Sequence, residues 1–393
     1  MSAIDELVAE LCPDGVEYRN LYDVAHFDRG QVITAKNTVD GGIPVVAGGQ
    51  KPAYYHNVSN RPAGTITVAG SGAYAGYVSM WDTPIWLSDA FSVAPNDEHE
   101  LSSAFLYQLL KLNQNWIYAK KKGSGVPHVH GADLSRLQIP VPPIEVQREI
   151  VCILDTFTAL TDTLTEELNC RRQQYAYYRD RLLSLESLEA LDGKPVEMKR
   201  LGNIARIFDG THQTPKYVSS GIKFVSVENI GNLTASNKFI TEEAFNKEYK
   251  NPPECGDVLM TRIGSIGSCA VVETDEPLAY YVSLSLIKPN RELIIPKFLR
   301  HAIEGRDGRR SLYRRTIHTA VPIKINLGDV GKVEIPVPSL ATQQKVVDIL
   351  DRFDALTTSL TDGLPAEIEA RRTQYGYYRD RLLDFPRKGG VAA

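Results

Sequence analysis

Three short segments of the sequence carry residue types that could perform chemistry. Residues 70–75 read GSGAYA and fit the glycine pattern of a dinucleotide or S-adenosylmethionine loop. Such a loop needs a helix N-terminus directly behind it to face the ligand. The residues that follow, AGYVSMWDTPIW, favour a strand instead. We therefore expect a turn between strands here rather than a nucleotide site.

The other two segments are weaker. Residues 251–254, NPPE, resemble the catalytic loop of amino-methyltransferases, but that loop ends in an aromatic residue that stacks on a flipped base. Residues 248–250, EYK, form a pattern too common to indicate a nuclease. The five cysteines, at 12, 152, 170, 255 and 269, show no CxxC pair and no metal-ligand spacing. We therefore expect no catalytic site, no metal and no cofactor, and reduced thiols of a cytoplasmic protein.

Basic residues cluster at two places and suggest contact with nucleic acid. Lys and Arg neutralise phosphate, and Arg also pairs with guanine. The first-rank candidates are Lys120, Lys121, Lys122, Ser124, His128, His130, Arg309, Arg310, Arg314, Arg315 and His318. The second-rank candidates, in two glycine-rich segments, are Ser71, Tyr74, Arg262 and Ser265. The alternative is an ordinary solvated surface, and the net charge of −4 favours neither interpretation.

The sequence contains an internal duplication. Segments 139–168 and 335–364 are identical at sixteen of thirty positions, and RRQQYAYYRDRLL (171–183) matches RRTQYGYYRDRLL (371–383) at eleven of thirteen. Unrelated segments would share roughly two or three residues over this length. A weaker similarity relates 16–25 to 196–205, so each repeat is a variable head followed by a helical region.

This duplication sets the expected domains. They are an N-terminal helix (1–15), head 1 (16–138), a first helical region (139–195), head 2 (196–334) and a second helical region (335–393). Alternating or apolar runs predict strands within 64–70, 76–81 and 84–94 of head 1, and within 222–227, 257–264, 269–273 and 280–289 of head 2. Helical periodicity predicts one helix in each head, at 101–114 and 296–305.

The helical regions carry an apolar stripe with spacings of three and four residues. Its members are Ile150, Ile153, Phe157, Leu160, Leu164 and Leu168, matched by Val346, Ile349, Phe353, Leu356, Leu360 and Leu364. The stripe predicts two long helices that pair as an intramolecular coiled coil, or alternatively an ordinary helical core. The second helix has four more residues, and Gly363 and Pro365 are expected to break or kink it.

The most closely repeated residues are tyrosines and arginines, which are typical interface anchors. The candidates for partner binding are Arg171, Arg172, Tyr177, Arg179, Arg371, Arg372, Tyr377 and Arg379. Two copies of this patch imply two identical partners. Tyr175 and Tyr178 extend the apolar stripe and are expected to belong to the helical core.

Two variable heads that alternate with helical regions of the form IPVPxxxxQxxIxxILDxFxxL and RRxQYxYYRDRLL resemble the specificity subunit of type I restriction-modification systems. The segments TVAGSGAYAGYVSMWDTPIWLSDAFS, GDVLMTRIGSIGSCAVV and KKGSGVPHVHGADLSRLQIPVP also resemble target-recognition domains of that family. The resemblance covers nearly the whole chain. The extra turn around Gly363 is its one departure.

The resemblance implies an α+β protein with a pseudo-twofold internal repeat. In such a protein each head reads one half of a split double-stranded DNA target, and the two helices form an antiparallel coiled coil. Helix 2–11 lies near the second helix. Two methyltransferase subunits and two restriction subunits dock on this non-catalytic chain, and they hold the cofactors. The alternatives are a type IIB-like specificity subunit, a self-contained DNA methyltransferase and a coiled-coil scaffold without a nucleic-acid role.

Overall fold

The computed structural model describes residues 3–123, 125–358 and 363–389. The chain divides into two compact units, and each is built from segments that are distant in sequence. Unit 1 comprises residues 1–164 and 367–393, and unit 2 comprises residues 165–366. Each unit therefore contains one head, the beginning of the helical region that follows that head, and the end of the other helical region.

Head 1 is an α+β arrangement of three small sheets, preceded by α1 (Ala3–Leu11). Its strands are β1 (Tyr18–Asn20), β2 (Ala25–Arg29), β3 (Ile43–Val46), β4 (Tyr54–His56), β5 (Thr65–Ala69), β6 (Val78–Trp81), β7 (Trp86–Leu87), β8 (Ala90–Pro95) and β9 (Gln138–Pro140). Its helices are α2 (Leu21–Val24), α3 (Ser103–Leu112), α4 (Gln114–Tyr118) and α5 (Gly131–Leu134). The strand orders are β2-β8-β5-β6, β4-β3-β7 and β1-β9.

Head 2 repeats this topology after α6 (Ile144–Leu182) and α7 (Leu185–Asp192). Its strands are β10 (Glu197–Arg200), β11 (Ala205–Asp209), β12 (Ile222–Val225), β13 (Phe239–Ile240), β14 (Val258–Thr261), β15 (Cys269–Val271), β16 (Leu278–Tyr280), β17 (Leu284–Pro289) and β18 (Glu334–Val337). Its helices are α8 (Leu201–Ile204), α9 (Glu242–Glu248), α10 (Pro296–Glu304), α11 (Arg306–Arg315) and α12 (Leu327–Val330). The sheets, β11-β17-β14-β15, β13-β12-β16 and β10-β18, match those of head 1 strand for strand.

The second helical region contains two described helices, α13 (Leu340–Thr358) and α14 (Leu364–Leu382). The residues between them, 359–362, lie outside the described part. Gly363 is a buried bend, and Pro365 is the second residue of α14. Proline is tolerated in the first turn of a helix because its missing N–H would have no partner there. Gly363 therefore lies outside a helix and α14 begins directly after it, at the place where the sequence predicted a break or kink.

The strand and helix predictions for the heads are confirmed, since every predicted segment contains an element of the expected type. The segment 70–75 lies between β5 and β6, so the glycine-rich pattern joins two strands. A phosphate-binding helix N-terminus does not follow it. By contrast, the arginine-rich segment 306–315 is a helix that the sequence pattern did not predict.

A buried glutamine anchors the start of each long helix. In unit 1, Gln147 donates from Nε2 to the carbonyl oxygens of Glu100 (2.7 Å) and Pro142 (2.8 Å), and its Oε1 accepts from the N–H of Ser102 (2.9 Å). Both the loop before α3 and the proline segment before α6 are thereby tied to one side chain. A buried amide with all these partners is stabilising, whereas an unsatisfied one is costly.

Unit 2 repeats the same three bonds. Gln343 donates to the carbonyl oxygens of Leu293 (2.9 Å) and Pro338 (2.8 Å) and accepts from the N–H of Ile295 (2.8 Å). The glutamine of the IPVPxxxxQ motif thus has one structural function in both repeats. It joins a head to the helix that leaves it.

In unit 1 the helices run antiparallel. The start of α6 leaves head 1 after β9, and the end of α14 returns to the same head, where Val16 donates to Pro386 (2.8 Å). Between these ends, the rings of Phe157 and Tyr378 stack with centroids 5.3 Å apart. The N-terminal helix packs here too, with Asp5 3.4 Å from Arg381, which confirms its expected place near the second helical region.

In unit 2 the same relation holds between the end of α6 and the start of α13. Asp180, near the end of α6, accepts from the backbone N–H of Arg306 (3.1 Å) in head 2. The α13 helix leaves head 2 after β18. Tyr178 and Phe353 stack with centroids 5.9 Å apart. Phe157 and Phe353 of the apolar stripe therefore form antiparallel helix contacts within each unit, and Tyr178 takes part in them as expected. Other stripe members, Leu160, Ile349 and Leu356, are exposed, and Leu360 lies outside the described residues.

A tyrosine in each repeat ties the helices to the helix of a head. In unit 1, Tyr375 donates its hydroxyl to Gln108 Oε1 (3.0 Å). In unit 2, the Tyr175 hydroxyl lies 3.2 Å from His301 Nδ1, and His301 Nε2 lies 3.1 Å from Asp351. His301 is fully buried, and this burial lowers its pKa below the ordinary value, an effect to which nearby Arg300 adds.

This burial predicts acid sensitivity. The unfolded chain binds a proton at His301 with a pKa of about 6.5, whereas the folded protein resists that proton, so stability should fall as the pH drops through that value. His301→Gln introduces the residue that the first repeat uses, which cannot be protonated. We expect the urea midpoint of the variant to decrease less between neutral pH and mildly acidic pH than that of the parent.

His99→Gln, a change at an exposed histidine, is the matched control and should retain the parental pH dependence. Equal pH dependence in the parent and His301→Gln would show that His301 does not determine acid stability.

Candidate nucleic-acid interface

A short hairpin closes head 1 at the end of β5. Lys122 and His128 pair across it through two backbone hydrogen bonds of 3.0 and 2.8 Å, and His128 also forms a β-bridge with Ser71. The described residues 122–123 and 125–128 are called hairpin 1 below. Val129, directly after it, donates to Gly70 (3.0 Å). The four-stranded sheet therefore fixes where hairpin 1 projects.

Head 2 has the same feature at the end of β14. Ile317 donates to Lys324 (2.7 Å), and Lys324 also forms a β-bridge with Ile263. Residues 317–324 are called hairpin 2. Val321 at its tip is completely exposed, and Ile325 donates to Arg262 (3.0 Å) as Val129 does to Gly70. The two heads thus present matching hairpins from matching strands.

The predicted basic residues of head 1 surround hairpin 1. Lys120 lies over the Trp116 ring (4.1 Å), and Lys121 lies over Tyr118 (4.4 Å) and donates to Ala73 (3.0 Å). Lys122 forms an ion pair with Asp133. These aromatic and backbone contacts hold two ammonium groups beside the turn that carries Tyr74.

The remaining candidates of head 1 lie close by. His128 and His130 stack with centroids 6.2 Å apart, and the Ser71 hydroxyl donates to Asp89. Tyr74 is 46% exposed. Ser124 lies outside the described residues. The structure therefore brings the described head 1 candidates together around one hairpin.

The candidate arginines along α11 of head 2 differ in whether they form an ion pair with a described residue. Arg309 lies 3.5 Å from Asp180 on α6, and Arg315 bonds to Ser311 (2.7 Å) and lies 3.9 Å from Glu334. Arg310 and Arg314 are exposed and form no ion pair with any residue that the structure describes. Because they are four residues apart, they share one face of the helix.

Two other candidates lie in hairpin 2 or next to it. His318 in hairpin 2 packs against Tyr313 with ring centroids 4.3 Å apart. Ser265 is exposed in the turn after β14, and the adjacent Gly264 donates to Ile323 of hairpin 2 (2.9 Å).

Arg262 does not lie on this surface. The residue is 7% exposed, and its guanidinium donates twice to Asp209 (2.8 Å to each carboxylate oxygen) and once to the Ile325 carbonyl (3.2 Å). A guanidinium held in this way is not available to a base edge. The sequence proposed Arg262 as a DNA contact. In the structure its side chain instead binds other segments of head 2.

Lys324 was not among the candidates from sequence. It is exposed and occupies the position of hairpin 2 that His128 occupies in hairpin 1. The Val-Pro pair at 321–322, which recurs at 126–127 in hairpin 1, was the signal that could have revealed the second hairpin. Lys324 follows its pair one residue later than His128 does, because hairpin 2 is one residue longer.

The residues on the helices that the sequence proposed as partner contacts also fall into two groups, those bound within the helices and those that are exposed. Arg171 and Arg371 pair with Glu167 (3.3 Å) and Glu367 (2.8 Å) on their own helices. Arg179 and Arg379 lie over Tyr175 (5.4 Å) and Tyr375 (5.9 Å) and pair with Asp180 and Asp380. These four arginines therefore stabilise the helices.

The exposed part of the patch is smaller. Tyr177 and Tyr377 are 60% and 61% exposed, each with its ring edge against the following tyrosine. Arg172 on α6 and Arg372 on α14 are exposed, and Arg372 lies 3.9 Å from Glu369. Each repeat thus offers an equivalent tyrosine–arginine surface.

Within the described ranges, no group of three or more His, Cys, Asp or Glu side chains could hold a metal ion. In the same part of the chain, no helix is long and apolar enough to cross a membrane.

The chain matches the family model described as the type I restriction modification DNA specificity domain twice, over residues 13–170 and 193–370. The chain belongs to this family. The two matches correspond to the two repeats, each a head with the helix that follows it. The protein is a specificity subunit, and DNA sequence recognition in a type I restriction-modification system is its function. The alternatives from sequence are not favoured.

Individual relatives agree with this assignment. A type I restriction enzyme specificity subunit of Escherichia coli is 34% identical over an alignment of 279 residues that covers 66% of this chain and 66% of that protein. A Haemophilus influenzae protein named as a type I specificity subunit is 29% identical over 94% of this chain and 96% of its own length.

A solved structure shares the fold. The S subunit of the type I system from M. genitalium aligns with a TM-score of 0.61 at 20% identity, covering 94% of this chain and 96% of that one. The α+β class with two repeated domains, predicted from sequence, is confirmed.

The division of the α11 arginines generates a prediction for DNA binding. In the complex with its methyltransferase, Arg310→Ala/Arg314→Ala should weaken DNA binding and lower the slope of log K against log salt by about 1 for each phosphate group that the protein no longer neutralises. Arg309→Ala is the matched control, because Arg309 faces Asp180. Unchanged slopes in a titration of labelled DNA against salt would contradict a phosphate-binding role for this face.

Proposed function

We propose that each head, 16–138 and 196–334, is a target-recognition domain that reads one half of a split double-stranded DNA target through its hairpin. The observation that carries this proposal is the equal placement of hairpins 1 and 2 on matching strands of two otherwise variable heads. One architecture that carries different side chains, His128 in one copy and Lys324 in the other, suits the reading of two different half-targets.

The surroundings of each hairpin supply the remaining contacts. Lys120, Lys121 and Tyr74 in head 1 would approach phosphates, as would Arg310, Arg314 and His318 in head 2. Such contacts position a protein on the duplex, whereas base-edge contacts specify the sequence. The proposed base readers are His128 and Lys324 in the hairpins and His130 and Ser265 close to them, because all four residues are exposed.

A pair of single substitutions tests this reading. His128→Ala should relax the methylated motif in one half-target only, and Lys324→Ala should relax it in the other half only. Removal of one base-edge interaction costs about 1–3 kcal/mol of discrimination. Methylated bases would be mapped genome-wide in cells that carry the cognate methyltransferase with each variant. Relaxation of both halves by either variant, or of neither half by both, would refute the proposal.

We also propose that the chain assembles with two methyltransferase subunits and two restriction subunits. The E. coli relative is named as a subunit of a type I restriction enzyme, and the two repeats here present equivalent exposed surfaces around Tyr177 and Tyr377. Exposed tyrosine and arginine side chains are typical anchors of protein interfaces. The chain itself would contribute recognition without catalysis, in the cytoplasm where its DNA target lies.

Substitution of the exposed tyrosines tests this assembly. Native mass spectrometry should find two methyltransferase subunits on the parent, about one on Tyr177→Ala and none on Tyr177→Ala/Tyr377→Ala. Gln173→Ala, an exposed change on the same helix, should retain both subunits. If the double variant binds two subunits with unchanged affinity, the docking surface lies elsewhere.

A further inference from the structure

The residue directly after one inner strand of the four-stranded sheet, β5 in head 1 and β14 in head 2, is of a different type in each head. Gly70 follows β5, and Arg262 follows β14. The backbone of each makes the same two hydrogen bonds. Gly70 donates to Asp89 (3.3 Å) and accepts from Val129, while Arg262 donates to Ser283 (2.9 Å) and accepts from Ile325. The two backbone positions are therefore equivalent, and the heads differ here only in the side chain that head 2 carries.

In head 2 the side chain joins three segments. Its two bonds to Asp209 reach the last residue of β11, and its bond to the Ile325 carbonyl reaches the residue directly after hairpin 2. The planar guanidinium suits this arrangement because its donors form a rigid fork. Asp209 also accepts from His212 (2.9 Å), so the segment that follows β11 joins the same network.

In head 1 the corresponding space is open. A cleft of about 470 Å³ is lined by Gly70, Val129, Arg29, Asp89 and both histidines, 128 and 130. The sheet registers place Arg29, opposite Phe91, at the position of Asp209, opposite Ser285. Both partners of the ion pair are thus replaced in head 1. Hairpin 1 is held instead by the Ser71–Asp89 hydrogen bond and the Lys122–Asp133 ion pair.

We propose that Arg262 is a positioning residue for DNA recognition: it fills a cleft that stays open in head 1 and thereby fixes hairpin 2 against β11 and β14. This inference rests on the proposed reading role of hairpin 2. Arg262 acts on the second half-target through the hairpin and touches no base. Hairpin 1 is positioned without an equivalent buried arginine.

Arg262→Gly tests the inference, because glycine is the residue that head 1 has at this position. The full chain in complex with its methyltransferase would methylate the split target and variants of the target with one changed base in either half. We expect discrimination at the second half to fall by about tenfold or more, as when one base-edge interaction is removed, and discrimination at the first half to stay unchanged. Lys332→Ala, a change in a surface ion pair, is the control.

Chemical rescue distinguishes a positioning role of Arg262 from a general loss of folding in the variant. Guanidinium added far below denaturing concentrations changes the free energy of unfolding negligibly, yet it can occupy the cleft beside Asp209. It should restore discrimination in Arg262→Gly and have no effect on the parent. Failure of guanidinium to restore any discrimination would overturn the positioning role.

A double variant covers the case in which Arg262→Gly does not fold, since the lone substitution removes the guanidinium partner of the Asp209 carboxylate. Asp209→Asn/Arg262→Met removes both charges and should show the same loss at the second half with an unchanged melting temperature. Full discrimination in this variant would overturn the inference. Lys324→Ala serves as the reference: if it lowers second-half discrimination while the Arg262 variants do not, the inference alone fails. If all three leave discrimination unchanged, the reading role of hairpin 2 fails as well.

Discussion

Every head in this chain is attached to its helix by one buried glutamine, and the placement of the recognition surface depends on that attachment. Gln147 and Gln343 are fully buried, and each forms hydrogen bonds to two carbonyl groups and one N–H group of the segments that it joins. A hairpin can report base identity only if the sheet beneath it is held rigidly. The glutamine supplies this rigidity at the base of the head, while the hydrogen bonds after β5 and β14 supply it at the hairpin.

The sequence alone was sufficient for the architecture because the architecture is repetitive. Two copies of one helical motif, with apolar residues three and four apart, predicted paired helices, and alternating runs predicted the strands of the sheets. Fine placement of side chains was harder. Arg262 and Asp209 are 53 residues apart, and no local pattern distinguishes a buried arginine of this kind from one that faces DNA. The same limit applies to α11, where only the fold separates Arg309, beside Asp180, from Arg310 and Arg314.

The comparison of the two heads is therefore more informative than either head by itself. Positions that the backbone makes equivalent, such as His128 and Lys324 or Gly70 and Arg262, show where one scaffold has been adapted to different tasks. The helical regions show the opposite behaviour, since Tyr177 and Tyr377 keep the same exposure and the same neighbour. Variation in the heads and identity in the helices fit a chain that reads two different half-targets and presents the same surface twice.

The central claim is that this chain dictates which DNA sequence is modified. The most direct measurement is a genome-wide map of methylated bases in cells that carry the cognate methyltransferase, with and without this chain. We predict a motif of two separated halves that is methylated only when the chain is present. Methylation that is the same in both cells, with binding of the chain to the methyltransferase confirmed, would contradict the account and leave a scaffold without a role in DNA recognition.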